Sequence, residues 1–477
     1  MAYRFAFGRP PAVAAEAMVA TSHPLATRAG LRLLERGGNA VDAALAAAAV
    51  LCVAEPMSTG IGGDAFALVW RDGTLEGLDA AGPAPAGAAP VAPVAETGPR
   101  SVTVPGAVAG WAELSRRHGR LGLGACLADA IAAAERGVAA TVRTAQAWAT
   151  FGGPDELGPA PRVGEVFRQP ELAATLRAIA ELGPSAFYSG EIARAICSVS
   201  WLDEADLAAF EARWVDPLRI GYRGHEVAEL PPPTQGVAAL EGLGLLERSS
   251  PSLSSQISSV RLAVEDAFTH VRDGADVAHL LDSTYLDRRR RAEPAPVTEP
   301  PGGTTYLCVV DGDRMAVSFI QSLFEAFGSR IVAPGTGIVL QNRGACFAIA
   351  GEVEPGRRPY HTIIPAMLLR DGALLGPFGV MGGFIQAQAH VQLVSALVDD
   401  GLDPQAALDR PRFRVDGEAV LLEEGLWERA GELERLGHHV VLETDTFAFG
   451  GGQAILVQGD ALVGGSDPRK DGYAAGF

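Results

Sequence analysis

One lysine, Lys470, stands in a chain of 477 residues that has 39 Lys and Arg in all. Schiff-base or Ser-Lys chemistry would therefore have to run through that side chain, in the turn-like stretch GGSDPRKDG. The arginine, alanine, glycine and proline bias agrees with a GC-rich bacterial genome. The five cysteines, Cys52, Cys126, Cys197, Cys308 and Cys346, are odd in number and form no CxxC pair. Neither a disulfide framework nor a zinc site is expected, and buried thiols in a reducing compartment are the default. The nine histidines are scattered, and His438-His439 beside the strand-like HVVLE reads as a surface or edge pair. No metal and no other cofactor is expected. GxSxG, HExxH, P-loop and GxGxxG patterns are missing, which removes support for serine hydrolases, zincins, NTPases and dinucleotide enzymes. The apolar run Ala43 to Val53 is too short to span a bilayer, and the N-terminus shows no secretory pattern, so a cytoplasmic protein without a membrane partner is expected. A net charge of -18 and a pI near 5.0 argue against nucleic acid as a partner. The run Arg288 to Arg291 reads as a solvated helix end.

What is present is a large apolar reserve, 48% of residues, enough for a sizeable core. PLATRAGLRLLER has helical spacing, Gly37-Gly38 stops it, and Asn39 with Asp42 starts a second helix, so residues 24 onward predict a tight helical hairpin. A strand is expected at Phe66 to Trp70, followed by an Ala/Pro-rich loop to about Pro93. Helices resume near Ala107 and run to about Leu182, with a break at Gly152 to Gly164. Tyr222 to Leu230 reads as one strand ending at Pro231-Pro232-Pro233. After residue 304 the texture turns to strands, at Thr305 to Ser322, Pro365 to Arg370, Leu374 to Gly376, Ala419 to Leu422 and Gln453 to Val457. Helices at about 386 to 399 and 426 to 436 interrupt them. Neither part can close a core alone, so a single layered α/β unit is expected.

The tether AEPAPVTEPPGG leads straight into TTYLCVVDGDRMAVSFIQS. Thr305 to Val310 suits a core strand, and Gly312-Asp313 can turn the chain into a second strand from Met315. Thr304 then sits at one end of a strand pair. If the bond before it is cut, the freed α-amine, with a pKa of about 7.7 to 8.0 when unperturbed, can take the proton of its own hydroxyl.

The segments MVATSHPLATRAGLRLLERGGNAVDAALAAAAVL, EPMSTGIGGDAF, SVTVPGAVAGW, YRGHEVAELPPPTQG, TTYLCVVD, FGSRIVAPGTGIVLQNRGACF, RPYHTIIPAM, GPFGVMGG, RPRF, GGQAILV and GGSDPRKDG together resemble the γ-glutamyltransferase family of N-terminal-nucleophile hydrolases. The resemblance covers nearly the whole chain in order. It implies a four-layer αββα sandwich, made as a precursor that cuts itself between Gly303 and Thr304. The fragments 1–303 and 304–477 would stay associated, and a further homo-oligomer is compatible with this. It implies Thr304 as nucleophile and base, and Ser322 as the hydroxyl that positions it. Gly382 and Gly383 would supply oxyanion-hole N–H donors, each worth about 2.7 to 4 kcal/mol.

Departures from the family pattern fall on substrate recognition. The loop Leu78 to Pro85 lacks the arginine used for a γ-glutamyl group. Phe324, Arg343 and Cys346 stand where relatives have Asn, Gln and Asp for the α-ammonium, and His361 and Thr362 where they have paired serines for the α-carboxylate. A substrate ammonium would lose its acidic partner and meet a fixed positive charge, at a cost of several kcal/mol if desolvated. The leading expectation is a small-molecule amide whose acyl side lacks an α-ammonium and carries a carboxylate held by Arg343. Arg343 could equally be satisfied by carbonyls of its own QNRG loop. Alternatives are C–C bond hydrolysis of the kind found in actinobacterial natural-product pathways, ordinary γ-glutamyl hydrolysis or transfer, and an unprocessed binding protein.

Overall fold

The computed structural model describes residues 8–89, 94–298 and 302–477. Part of the tether, residues 299–301, therefore lies outside the described residues, as do the first seven residues and the end of the loop read to Pro93.

Two seven-stranded antiparallel sheets form the middle of the molecule. One has the order Ala12–Ala14, Ala461–Ser466, Gly451–Gln458, Ala373–Met381, Ala366–Arg370, His225–Glu229 and Leu218–Tyr222. The other runs Tyr473–Gly476, Met18–Thr21, Gly303–Val310, Ala316–Phe324, Asp64–Arg71, Thr74–Ala80 and Arg213–Val215. Strands from both sides of the Gly303–Thr304 bond occur in each sheet. Neither sheet is complete without the other part of the chain.

Alternation along the strands sorts side chains into three cores. In the second sheet Leu307, Val309, Val317 and Phe319 pack on the Ala40–Ala54 helix and its neighbours. Tyr306, Cys308, Val310 and Ile320 face the first sheet and meet Met367, Leu369, Met381 and Ile455. The far side of the first sheet, through Leu368, Phe378, Val380 and Leu456, packs on the helices Gly236–Glu247 and Ile385–Val398. The layers are thus helix, sheet, sheet, helix.

The helical hairpin has the expected capping. Asn39 accepts from the Val41 and Asp42 amides while Asp42 accepts from the Asn39 amide, a reciprocal capping box. The helix it opens is buried on all sides, and its alanines let it lie close against the sheet.

Three expectations need correction. Thr74–Ala80 is a strand and not the start of a loop; Gly77 gives Leu230 room there, since a Cβ at that position would meet its Cδ2 at 2.3 Å. Tyr222 to Leu230 is the second half of a hairpin, with Arg223 (φ 48°) and Gly224 (φ 76°) making the turn between Leu218–Tyr222 and His225–Glu229. The strand expected to stop at Gly376 runs on to Met381. A Cβ on Gly379 would lie 2.5 Å from the Tyr306 ring, so glycine here fits the strand under an aromatic side chain and does not end it. Among the described residues no helix is long and apolar enough to cross a membrane.

Candidate active site

Gly303–Val310 and Ala316–Phe324 pair in register from Thr305 onward, and the ladder is irregular between Gly303 and Thr305. Thr304 sits in that irregularity, buried, at the end of a rigid central strand. Its hydroxyl donates to the Gly303 carbonyl at 2.6 Å and lies 3.3 Å from Ser322 Oγ. Ser322 Oγ donates to the same carbonyl at 2.6 Å and accepts from the Phe324 amide at 2.8 Å, which fixes its orientation. Two hydroxyls therefore converge on the oxygen of the peptide bond that precedes Thr304. Such contacts polarise a carbonyl, and the one from Ser322 can stabilise the charge that builds on its oxygen when Thr304 Oγ attacks.

Gly382 (φ 131°) and Gly383 (φ 73°) follow the end of the adjoining strand Ala373–Met381 in backbone conformations that disfavour a side chain. A Cβ on Gly383 would lie 2.9 Å from Cα of Gly302. The glycine pair and the last residues of the tether are thus in direct backbone contact. Gln386, which the sequence did not single out, donates to Thr304 Oγ1 at 3.4 Å while its own oxygen accepts from the Ile364 amide.

A cavity of about 410 Å³ opens onto this point. Thr304, Gly303 and Gly382 share its walls with Glu55, Glu325, Arg143, Arg414, Phe447 and Lys470. Burial pushes the Glu55 carboxyl up to about 7, opposed by the Lys470 charge. Burial lowers Lys470, against the pull of Glu55, Asp467 and Asp471. The Glu325 carboxyl is likewise raised by burial.

None of the residues expected to recognise the acyl group lines the cavity, and four of them, Phe324, Arg343, Cys346 and Thr362, are in contact with one another. Arg343 is completely buried, with its guanidinium 4.5 Å from the centre of the Phe324 ring. Nη1 donates to Thr362 Oγ1 at 3.0 Å and faces Cys346 Sγ at 3.8 Å. Nε and Nη2 have no partner. Carbonyls of the QNRG loop do not satisfy the guanidinium. Burial raises the Cys346 thiol to about 11, so it is neutral and provides no counter-charge. His361 lies apart from this fork, its Nε2 2.9 Å from Asp64 Oδ2 and its Nδ1 2.8 Å from the Pro359 carbonyl. Both ring nitrogens are engaged within the protein.

A strand-end threonine facing a cavity, beside paired glycines and between two stacked antiparallel sheets with helices outside, defines an N-terminal-nucleophile hydrolase. The sequence model of the gamma-glutamyltranspeptidase family matches residues 26–477, and the chain belongs to that family. It is 35% identical to the oxamate amidohydrolase proenzyme of Klebsiella pneumoniae, over 98% of this chain and 99% of that one. It is 33% identical to the glutathione hydrolase-like YwrD proenzyme of Bacillus subtilis, over 96% and 98%. The crystal structure of cephalosporin acylase from Bacillus halodurans superposes with a TM-score of 0.93 at 40% identity, covering 100% of this chain and 98% of that chain.

Proposed function

We propose that the chain is a proenzyme that cuts itself between Gly303 and Thr304 and then hydrolyses small amides with Thr304 as nucleophile. The observation that carries this reading is the convergence of the Thr304 and Ser322 hydroxyls on the Gly303 carbonyl oxygen, each at 2.6 Å. In maturation Thr304 Oγ attacks the Gly303 carbonyl carbon while the Ser322 hydroxyl holds the oxyanion, the Oγ proton passes to the Thr304 nitrogen, and the C–N bond breaks. The Thr304 amine is released, leaving an ester that water hydrolyses. The freed amine then serves as base in turnover. Oγ attacks the substrate carbonyl, the proton passes through the amine to the leaving nitrogen, and water releases the acid from the acyl-enzyme. The Gly382 and Gly383 amides would hold the oxyanion during turnover, in the space that Gly302 adjoins in the uncut chain.

The acyl group in this reading has a carboxylate and no α-ammonium. The free Nε and Nη2 of buried Arg343 form the side edge of the guanidinium, the fork that takes a carboxylate with two parallel hydrogen bonds. An ammonium would find no acidic partner among Arg343, Phe324 and the neutral Cys346 thiol. Oxamate, for which one relative is named, is an amide joined directly to a carboxylate and has no amine on its acyl side. The name of another relative, glutathione hydrolase-like, keeps γ-glutamyl hydrolysis as the competing reading.

The test compares the 4-nitroanilides of glutarate, butyrate and γ-glutamate. The glutaryl compound should be turned over best, and Arg343→Ala should raise KM for it far more than for the butyryl compound, with kcat less affected. Equal losses on the two donors, or preferred γ-glutamyl turnover by the parent enzyme, would overturn the acyl assignment.

A further inference from the structure

A third, smaller sheet accompanies the two seven-stranded ones. Its strands are Phe413–Asp416, Ala419–Leu422 and His439–Leu442 in that order, the last two parallel, and among the described residues no strand pairs with the outer edge of His439–Leu442. Unpaired edges invite pairing with another chain, and proteins guard them with charge, proline or a bulge. The edge strands Arg213–Val215 and Leu218–Tyr222 of the main sheets carry Arg213 and Arg219. His439–Leu442 has no arginine, lysine, proline or glycine, and its register with Ala419–Leu422 is unbroken. Val440 packs on the core behind the first sheet, whereas Val441 is 38% and Leu442 50% exposed. His439, which the sequence places in a surface or edge pair, is on this edge and exposed.

The backbone fixes which groups face outward. The Glu443 amide donates inward to the Leu422 carbonyl at 3.0 Å, so by alternation Val441 and Glu443 bond inward, and the N–H and C=O groups of Val440 and Leu442 point away from the sheet. A second copy of the strand, laid antiparallel across a two-fold axis at Val441, sets Val440 opposite Leu442 of the second copy. Each such pair exchanges two hydrogen bonds, and the axis generates the pair twice. Val441 then meets its own equivalent on the axis, and His439 meets Glu443, an imidazole against a carboxylate. Glu443 Oε1 accepts from the Thr444 and Asp445 amides, each at 2.8 Å, which holds the carboxylate at the strand end. Reversed and laid on itself, His439-Val440-Val441-Leu442-Glu443 is complementary at every position, apolar on apolar in the middle and opposite in polarity at the ends. A shift by one residue would set Val440 against Glu443 and oppose outward-facing amides with inward-facing ones.

We propose that this edge is a homodimer interface, at which two copies of the chain join their three-stranded sheets into one of six strands. Both copies use the same edge, so the pairing closes at the dimer. The paired area is small, which makes the dimer weak and concentration-dependent. All three strands lie within residues 304–477, so pairing does not require the cut before Thr304.

The test is sedimentation equilibrium of the full-length protein from about 1 to about 200 μM, for the parent and Val441→Lys, together with non-reducing gels of Val441→Cys and Leu442→Cys. The parent should pass from monomer to dimer and to nothing larger. Val441→Lys sets two ammonium groups against each other on the axis and should weaken association at least about tenfold. In this register the two Val441 Cα atoms would lie about 4.5 Å apart, within disulfide range, and the two Leu442 Cα atoms about 8 Å apart, beyond it. Val441→Cys should therefore cross-link two copies and Leu442→Cys should not, although Leu442 is the more exposed of the two. The parent gives the background, since its own cysteines are buried or half-buried. A parent that stays monomeric throughout, a dimer that Val441→Lys leaves intact, or cross-linking of Leu442→Cys as fast as that of Val441→Cys overturns the interface. If Val441→Lys does not fold, the comparison of the two cysteine variants decides.

Discussion

Arg412 and Arg343 are both buried, and the fold treats them in opposite ways. Arg412 meets Asp467 at 2.6 Å and the Phe449 carbonyl at 2.9 Å, and Arg469 joins Asp467, Glu423 and two further carbonyls. Every strong charge in that cluster is answered within the chain, and it anchors the Gly451–Gln458 strand through the Gly452 amide, which donates to Asp467. Arg343 has a hydroxyl, a thiol and an aromatic face, with two donors left over. A buried cation without a counter-ion is costly, whereas a paired one tolerates burial. The contrast separates a network that the chain completes for itself from one that a ligand would complete.

Breaking each network should expose the difference. Asp467→Ala takes away the carboxylate that buried Arg412 pairs with and one of the two that Arg469 pairs with, and should destabilise the fold by about 3 to 5 kcal/mol in denaturant unfolding. Ser322→Ala removes one of the two hydroxyls on the Gly303 carbonyl and should slow self-cleavage by about 100-fold to 1,000-fold, followed on gels over time. Arg343→Met should not destabilise the ligand-free protein, and a gain of about 1 to 4 kcal/mol is the direction expected when an unsatisfied buried charge gives way to an apolar side chain. A loss comparable with that of Asp467→Ala would erase the contrast.

Glu55 provides a pH-dependent comparison on the cavity wall. The folded chain keeps its proton up to about pH 7, whereas the unfolded chain releases it near the ordinary value of 4.5. The folded state therefore binds more protons in that window, and stability should fall as pH rises through it, by about 1 to 3 kcal/mol. Glu55→Gln should flatten that slope. The smallest effect is expected at Asn39→Ala, about 1 kcal/mol, from the loss of one half of a capping box remote from either arginine.

Local chemistry was legible in the sequence, and contacts made by distant segments were not. The Gly37-Gly38-Asn39 junction, the turn at Gly312-Asp313 and the strand over Thr305 to Val310 all follow from neighbouring residues. Gly77, Gly379 and the Arg223-Gly224 turn misled the strand boundaries, because the first two glycines serve partners far away in the chain, Leu230 and Tyr306. The free Nε and Nη2 edge of Arg343 could not be read from QNRG, since it depends on Thr362 and Phe324 folding over it. Lys470 was conspicuous as the lone lysine, but its turn gave no sign of the cavity. Only the strand order that sets Gly451–Gln458 between Ala461–Ser466 and Ala373–Met381 puts it on a cavity wall together with Thr304.

Intact-mass measurement of the purified protein after prolonged incubation tests whether the chain cuts the bond before Thr304. The parent chain should resolve into two associated fragments, residues 1–303 and 304–477, with threonine at the new N-terminus. Thr304→Ala should stay a single inactive chain. Cleavage at another bond, or a processed and active Thr304→Ala protein, would contradict this assignment.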